Sequence, residues 1–379
     1  MRAPSILCIH PNGELYGSDR VFLQSVRALR ERWPTATITA LLPFDGPLAA
    51  ELRKIISDVR VEDIYVLRRS ELGWRFALRM PKLALRVLRA RRLMAARDLN
   101  YVSTVVTADF ILASRLLRRP ILVHVHELPT GVARQVFSGL LRASHAVLVH
   151  ISDAVRDSFV GLGGKRAFVV PNGVSAFVGA APESRDDGRL RLLLIGRFNA
   201  WKGQPLLLDA LALLPAERRA RIDVRLVGSV YADQTHFADA IHDRIARHGL
   251  HDTVTVLPFD PDPAKHYGWA DAVVVPSTQP EPFGLVAIEA MAAGKAVIAA
   301  GHGGLAEIVV DDLTGALVTP GDADALARAI SAYLDDPARL RAHGDAGAAR
   351  FAEQYDERIY RRGFADVAAG MIGDVSHAH

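Results

Sequence analysis

Short apolar runs recur along the chain, separated by stretches long enough for a helix. Ser5–His10, Thr37–Pro43, Tyr101–Thr107, Ile121–His126 and His145–Ile151 read as strands in the first half. Leu190–Gly196, Ile222–Gly228, Thr253–Leu257, Ala272–Pro276 and Ala296–Ala300 repeat the pattern in the second. Strands that are apolar on both faces and joined by helix-length connections predict parallel sheets covered on both sides. The connecting helices are legible too. In Pro205–Leu214, the side chains of Leu207, Ala210, Leu211 and Leu214 share one face, and Pro205 stands near the start, where proline is tolerated. The series is interrupted near 179–189 by Gly-Ala-Ala-Pro-Glu-Ser-Arg-Asp-Asp-Gly, which lacks large apolar residues and is rich in turn formers. Two α/β units are therefore expected, residues 1–180 and 181–353. A helix over Gln354–Met371 should follow in the closing segment, 354–379. Parallel sheets bind ligands at the carboxyl ends of their strands. With two such units, the expected site is the cleft between them.

Composition narrows the class. Half of the 379 residues are hydrophobic and 23% are charged, which excludes a disordered chain. A single cysteine, Cys8, cannot form an internal disulfide. No run approaches the ~18 apolar residues of a membrane span, and the first residues are too weakly apolar for a signal peptide. The expectation is a cytoplasmic protein. The net charge of +4 hides an asymmetry: residues 1–180 hold 26 Lys and Arg against 14 Asp and Glu, and residues 181–379 hold 20 against 28. No Walker loop is present, and no Gly-x-Gly-x-x-Gly follows the first strand, which argues against a nicotinamide dehydrogenase.

Four motifs bear on chemistry. In Pro276–Gly294 a strand end leads through a Pro-rich loop to a helix start near Gly284, with Glu281 in the loop and Glu289 on the helix. A helix start offers unpaired N–H groups and partial positive charge to a phosphate. Two carboxylates there suit sugar hydroxyls; otherwise Glu281 is a cap and Glu289 a solvated side chain. In Leu193–Gly203 a strand ends at Gly196 and Arg197 and Lys202 follow. Such cations neutralise a departing diphosphate, or are plain surface charge. His124 and His126 alternate on one strand and so share a face. With Glu127 they would form a metal site; otherwise they are buried, hydrogen-bonded histidines. Asn12–Arg20 is a glycine loop after the first strand. Asp260-Pro-Asp262 and Asp322-Ala-Asp324 match an Asp-x-Asp metal-binding pair, but Asp322 also sits where it would cap a helix over Ala325–Leu334.

The Glu281-x7-Glu289 segment resembles the Glu-x7-Glu motif of retaining GT-B glycosyltransferases, specifically glycosyltransferase family 4. The resemblance implies a GT-B fold: two Rossmann-like parallel-sheet domains facing across a cleft. It implies that Glu281 contacts the transferred sugar and Glu289 the ribose. The backbone around Phe283, Gly284 and Leu285 would meet the sugar or diphosphate. Arg197 and Lys202 match the family's diphosphate clamp, and His126 the histidine that orients the donor sugar. Pro258 and Phe259 follow the strand end where the family grips the base, and Gly17 matches its glycine loop, although Ser18 replaces the usual second glycine. Pro171-Asn172-Gly173 and Gly303–Val309 also match. The implied catalytic set is His126, Arg197, Lys202 and Glu281. The donor is a UDP- or GDP-linked sugar, no metal or other cofactor is required, and a glycan or lipid-linked acceptor binds the first domain. A surface polysaccharide or glycolipid would be the product. The implied final helix packs back on the first domain. A nucleotide-sugar epimerase of related fold and a non-catalytic GT-B-like protein are the alternatives.

Residues 66–98 carry ten Lys and Arg against Glu71 and Asp98, interleaved with Trp74, Phe76 and several Leu. This reads as a helix resting peripherally on an anionic membrane surface, or as an exposed helix of an Arg-rich protein. Nucleic acid is not an expected partner, because the acidic second half would repel it.

Overall fold

The computed structural model describes residues 3–67, 74–176, 187–230 and 234–376; the side chains of 74–81 and 374–376 fall outside that description. The expected boundary segment, as far as residue 186, also lies outside the described residues. The chain divides into two compact units. Unit 1 is Met1–Gly173 with Glu357–His379, and unit 2 is Val174–Asp356.

Unit 1 holds β1 (Ser5–Ile9), α1 (Gly17–Arg32), β2 (Thr37–Leu42), α2 (Pro47–Arg53), β3 (Asp58–Val61), α3 (Trp74–Ala95), β4 (Leu99–Ser103), α4 (Ala108–Ser114), β5 (Ile121–Val125), α5 (Gly131–Ala143), β6 (Val147–His150), α6 (Asp153–Asp157) and β7 (Ala167–Val169). The strands form one sheet in the order β3-β2-β1-β4-β5-β6-β7, and every pairing is parallel. The order reverses between β1 and β4. Right-handed crossovers therefore put α1 and α2 on one face and α3, α4 and α5 on the other.

Unit 2 holds β8 (Leu190–Ile195), α7 (Gln204–Leu213), α8 (Ala216–Arg219), β9 (Ile222–Val227), α9 (His236–His248), β10 (Val254–Leu257), α10 (Ala264–Trp269), β11 (Ala272–Val275), α11 (Leu285–Ala292), β12 (Ala296–Ala300), α12 (Leu305–Ile308), β13 (Gly315–Val318), α13 (Ala323–Asp335) and α14 (Pro337–Gln354). Its sheet, also parallel, runs β10-β9-β8-β11-β12-β13 and reverses between β8 and β11. Leu207, Ala210 and Leu211 of α7 are fully buried against this sheet, on the face the sequence pattern marks.

The last helix, α15 (Glu357–Ser376), belongs to unit 1. Tyr360, Phe364 and Ala368 are buried in the core beside α1, and the Tyr360 hydroxyl lies 2.5 Å from Ser25 Oγ. The expected helix start at Gln354 is corrected: Gln354 ends α14, and Tyr355–Asp356 form a break. Both N–H groups of that break donate to the Phe351 carbonyl, and the Tyr355 carbonyl accepts from Val174 N–H at 3.0 Å. Val174 also forms a parallel bridge with Asp356, so the two ends of unit 2 lie side by side.

Two other differences have physical causes. The expected strand Tyr101–Thr107 stops at Ser103, because Thr104 turns to φ +74° and gives its N–H to the His124 carbonyl at 2.8 Å. The strands β3, β7 and β13, absent from the apolar pattern, are all sheet edges. An edge strand has one neighbour and tolerates polar residues, so Asp58-Val-Arg-Val61 carries no continuous apolar run.

Candidate active site

The loops that leave β8 and β11 emerge side by side where the unit 2 sheet reverses, the position at which such sheets hold ligands. After β8, the Asn199 side-chain oxygen accepts the N–H groups of Trp201 (3.1 Å) and Lys202 (2.9 Å), which fixes the turn. Gly203 follows at φ +82°, and a Cβ there would lie 2.1 Å from the Pro276 carbonyl oxygen. Only glycine lets the two loops close to this distance. Thr278 N–H joins them by donating to the Trp201 carbonyl at 2.8 Å.

This contact delivers Lys202 to Glu281. The Lys202 ammonium is 2.8 Å from Glu281 Oε1, and Ser277 Oγ donates to the same oxygen. Glu281 is 6% exposed, and Lys202 lies 4.5 Å from the Trp201 ring centroid. Glu281 does not cap the helix, since Gly284 is the N-cap and has no side-chain bond. A buried carboxylate requires such partners, and removing one leaves a costly unpaired charge. Arg197 stands half-buried on the same loop, where its carbonyl accepts from Gln204 Nε2 at 3.1 Å.

A third loop, after β12, braces the arrangement. His302 Nε2–H donates to the Ser277 carbonyl (2.9 Å) and Gly304 N–H to the Glu281 carbonyl (2.9 Å). Gly303 adopts φ +58°, and a Cβ on it would stand 2.4 Å from the Glu281 carbonyl oxygen. Phe283 is buried with its edge toward Tyr355, and Gly284 (φ +133°) leads into α11 at Leu285. The first N–H groups of α11 open toward this end of the sheet. One to two turns on, Glu289 accepts from the Tyr267 hydroxyl at 2.7 Å. Pro258 and Phe259 stand exposed after the edge strand β10, and no described contact joins them to the Lys202–Glu281 pair.

Unit 1 gathers its own polar group where its sheet reverses. His10, after β1, is fully buried between Ser103 Oγ (3.0 Å from Nδ1) and Asp19 (2.7 Å from Nε2). Asp19 also accepts from Asn12 Nδ2 and Tyr16 N–H, so it holds the glycine loop in shape where Gly17 begins α1. Burial, opposed by Asp19, lowers the His10 pKa. His124 and His126 share a face as expected, with ring centroids 4.1 Å apart. His124 is buried and meets the Tyr101 hydroxyl at 3.2 Å. His126, just beyond β5, has a buried Nε2 with no hydrogen-bond partner, and burial lowers its pKa to about 3. Glu127 does not join the histidines. Its Oε2 accepts N–H groups from Val105 and His126, and burial raises its pKa to about 7.

Ser277, His302, Tyr267 and Asn199 were not picked out by sequence reasoning. Asn199 and Ser277 act within their own loops, while Tyr267 and His302 each reach a different element through one bond. Asp322 does cap α13, accepting from Ala325 N–H at 2.9 Å. Asp260 is engaged by Lys265, His266 and Asp262 N–H. Among the described residues no three His, Cys, Asp or Glu side chains are grouped to hold a metal ion.

Residues 180–350 match the family described as glycosyl transferases group 1. The matched region covers all of the Lys202–Glu281–Glu289 arrangement. The chain is 36% identical over 260 residues to a D-inositol 3-phosphate glycosyltransferase of Kineococcus radiotolerans, covering 60% of this chain and 59% of the relative. It is 35% identical over 186 residues to the lipopolysaccharide core biosynthesis mannosyltransferase LpcC of Rhizobium leguminosarum, covering 47% and 52%. The chain thus spans about half the length of the curated relatives it matches. The structure of Anabaena HepE in complex with UDP superposes with a TM-score of 0.79 at 25% identity, covering 97% of this chain and 100% of that one. A sucrose-phosphate synthase from Thermosynechococcus elongatus superposes at 0.76 and 22% identity. The fold is GT-B: two parallel-sheet α/β units of seven and six strands.

Proposed function

We propose that the protein is a retaining, metal-independent glycosyltransferase that takes a sugar from a nucleotide-diphosphate donor. The observation that carries this is the Lys202–Glu281 pair, held by three loops where the unit 2 sheet reverses. In this reading unit 2 binds the donor. Glu281 meets the sugar, Glu289 the ribose, and Pro258 and Phe259 the base. Arg197, Lys202 and the N–H groups at the start of α11 stabilise the charge of the departing diphosphate. The departing phosphate takes the acceptor proton, so no nucleophilic carboxylate is needed. Gly17 and His126 serve from unit 1, which receives the acceptor. A UDP-linked sugar is the first donor to test, since HepE was crystallised with UDP-glucose.

Two substitutions test the site. Lys202→Ala or Glu281→Gln should lower transfer by about 10²–10³-fold. Wild-type turnover in either variant would remove the assignment. Thermal-shift measurements with UDP, GDP and their sugars identify the base. NMR of the product identifies the anomer, and an inverted product would refute retention. An epimerase would change the donor with no acceptor present.

A glycan or lipid-linked acceptor at a membrane surface is the companion reading. Arg68 and Arg69 lie outside the described residues, as do the side chains of Trp74, Arg75, Phe76 and Arg79. In the remainder of α3, Leu85 and Leu88 are exposed beside Lys82 and Arg92. Arg86 and Arg89 instead pair with Asp63 and Glu62. Among the described residues no helix is long and apolar enough to cross a membrane. Flotation with anionic vesicles tests this: Leu85→Glu/Leu88→Glu should abolish binding, and no wild-type binding at low salt would discard it.

A further inference from the structure

Helices α1 and α15 lie against each other in unit 1, and an open groove of about 330 Å³ runs between them. Glu31, Arg32, Arg358, Arg361, Arg362 and Asp366 line it, which sets four guanidinium groups against two carboxylates. Arg361 is the most enclosed, with its side chain 16% exposed. Its Nη1 donates to Glu31 at 2.9 Å and its Nη2 to Glu357 at 3.4 Å, while its Nε is buried without a hydrogen-bond partner. The pairing is thin, since the Glu31 side chain is itself 58% exposed. Glu357 is shared with Gln24 Nε2 at 2.7 Å.

Helix electrostatics explain only part of this crowding. Arg32 ends α1, where a cation is favourable. Arg358 stands in the first turn of α15, where an anion is favoured and a cation is not. Arg361 and Arg362 follow within the next turn. Four guanidinium groups around one concave surface favour an anion there, because guanidinium forks match phosphate oxygens.

We infer that the α1/α15 groove binds a small phosphate-bearing anion, at a site in unit 1 separate from the donor site in unit 2. The phosphate could be free in solution or part of a lipid headgroup. The topology favours the free form. Helix α3, the element suited to a membrane surface, packs on the opposite face of the sheet from α1. A groove beside α1 is turned away from any surface on which α3 rests.

Titration calorimetry with inorganic pyrophosphate tests the site on the full chain. Arg358→Gln/Arg362→Gln should weaken binding about tenfold or more, and Lys202→Ala should leave this event in place. Both glutamine positions are exposed, so the fold should tolerate them. Arg361→Lys, which keeps the charge opposite Glu31 but loses the fork, should weaken binding in the same direction. Equal pyrophosphate affinity in the wild type and in Arg358→Gln/Arg362→Gln would overturn the proposal. Flotation with phosphatidylglycerol vesicles separates the two sources. Unchanged flotation of the double variant supports a soluble ligand. Loss of flotation with pyrophosphate affinity intact would overturn the groove as a soluble-anion site.

Discussion

Lys202 and Glu281 are distant in sequence, and each is unremarkable in its own loop. What makes them a pair is glycine at 203, 303 and 304, where a side chain would push the loops apart. Gly303→Ala should therefore act on Glu281 without touching its carboxylate. The added Cβ would collide with the Glu281 carbonyl oxygen and force a strained φ, at a cost of about 1–3 kcal/mol. Chemical denaturation would read the loss, and nucleotide binding should fall with it. The motifs exposed Glu281, Glu289, Arg197 and Lys202 to sequence reading because family spacing marks them. Ser277 and His302 stayed invisible because their role depends on where a third loop lies. In unit 1, Glu127 gives a pH test. Its folded pKa of about 7 lies above the ordinary carboxylate value, so the native state holds the proton more tightly than the unfolded chain. That contribution is present in full below the unfolded pKa and is lost as pH rises through about 7. Glu127→Gln keeps an oxygen for the N–H groups of Val105 and His126. The variant should gain on the order of 1 kcal/mol over wild type at pH 8 and little at pH 5. Parallel melting-temperature curves for the two proteins would contradict this.

Among the elements, central strands were legible, and of the four edge strands only β10 was. A strand buried on both faces writes a continuous apolar run, as β12 does in Ala-Val-Ile-Ala-Ala. The edge strand β3 alternates charge with valine, and β7 is three residues long. The closing helix was legible as a helix, but not its start. Tyr355 and Asp356 have no breaker residue; the interruption comes from hydrogen bonds to Phe351 and Val174. Helix α15 is a core element of unit 1. Phe364 is fully buried, stacked near Tyr360 and edge-on to Tyr101 at 5.0 Å. Phe364→Ala should destabilise unit 1 by about 3–5 kcal/mol in urea unfolding. Unit 2 should keep its own transition, because its core contains no residue of α15.

For the whole molecule, the charge asymmetry of the sequence follows the two units. The acidic half nevertheless carries Arg197 and Lys202, the cations of the proposed donor site. On that proposal the local placement of Arg197 and Lys202, and not net charge, sets what unit 2 binds. Unit 2 is one uninterrupted length of chain with its own sheet and core. Residues 174–356 expressed alone should unfold cooperatively and retain nucleotide binding. A fragment that gives no cooperative transition would show that the unit needs its neighbour.

The bridge between Val174 and Asp356 has a consequence for how such a molecule can be rebuilt. Because the entry and exit of unit 2 lie side by side at this isolated bridge, a single splice site serves both junctions. Joining Gly173 to Glu357 through a few residues would leave unit 1 closed on its own helix. The vacated position would accept a different second unit as a cassette, so that the two halves could be recombined without redesigning either core.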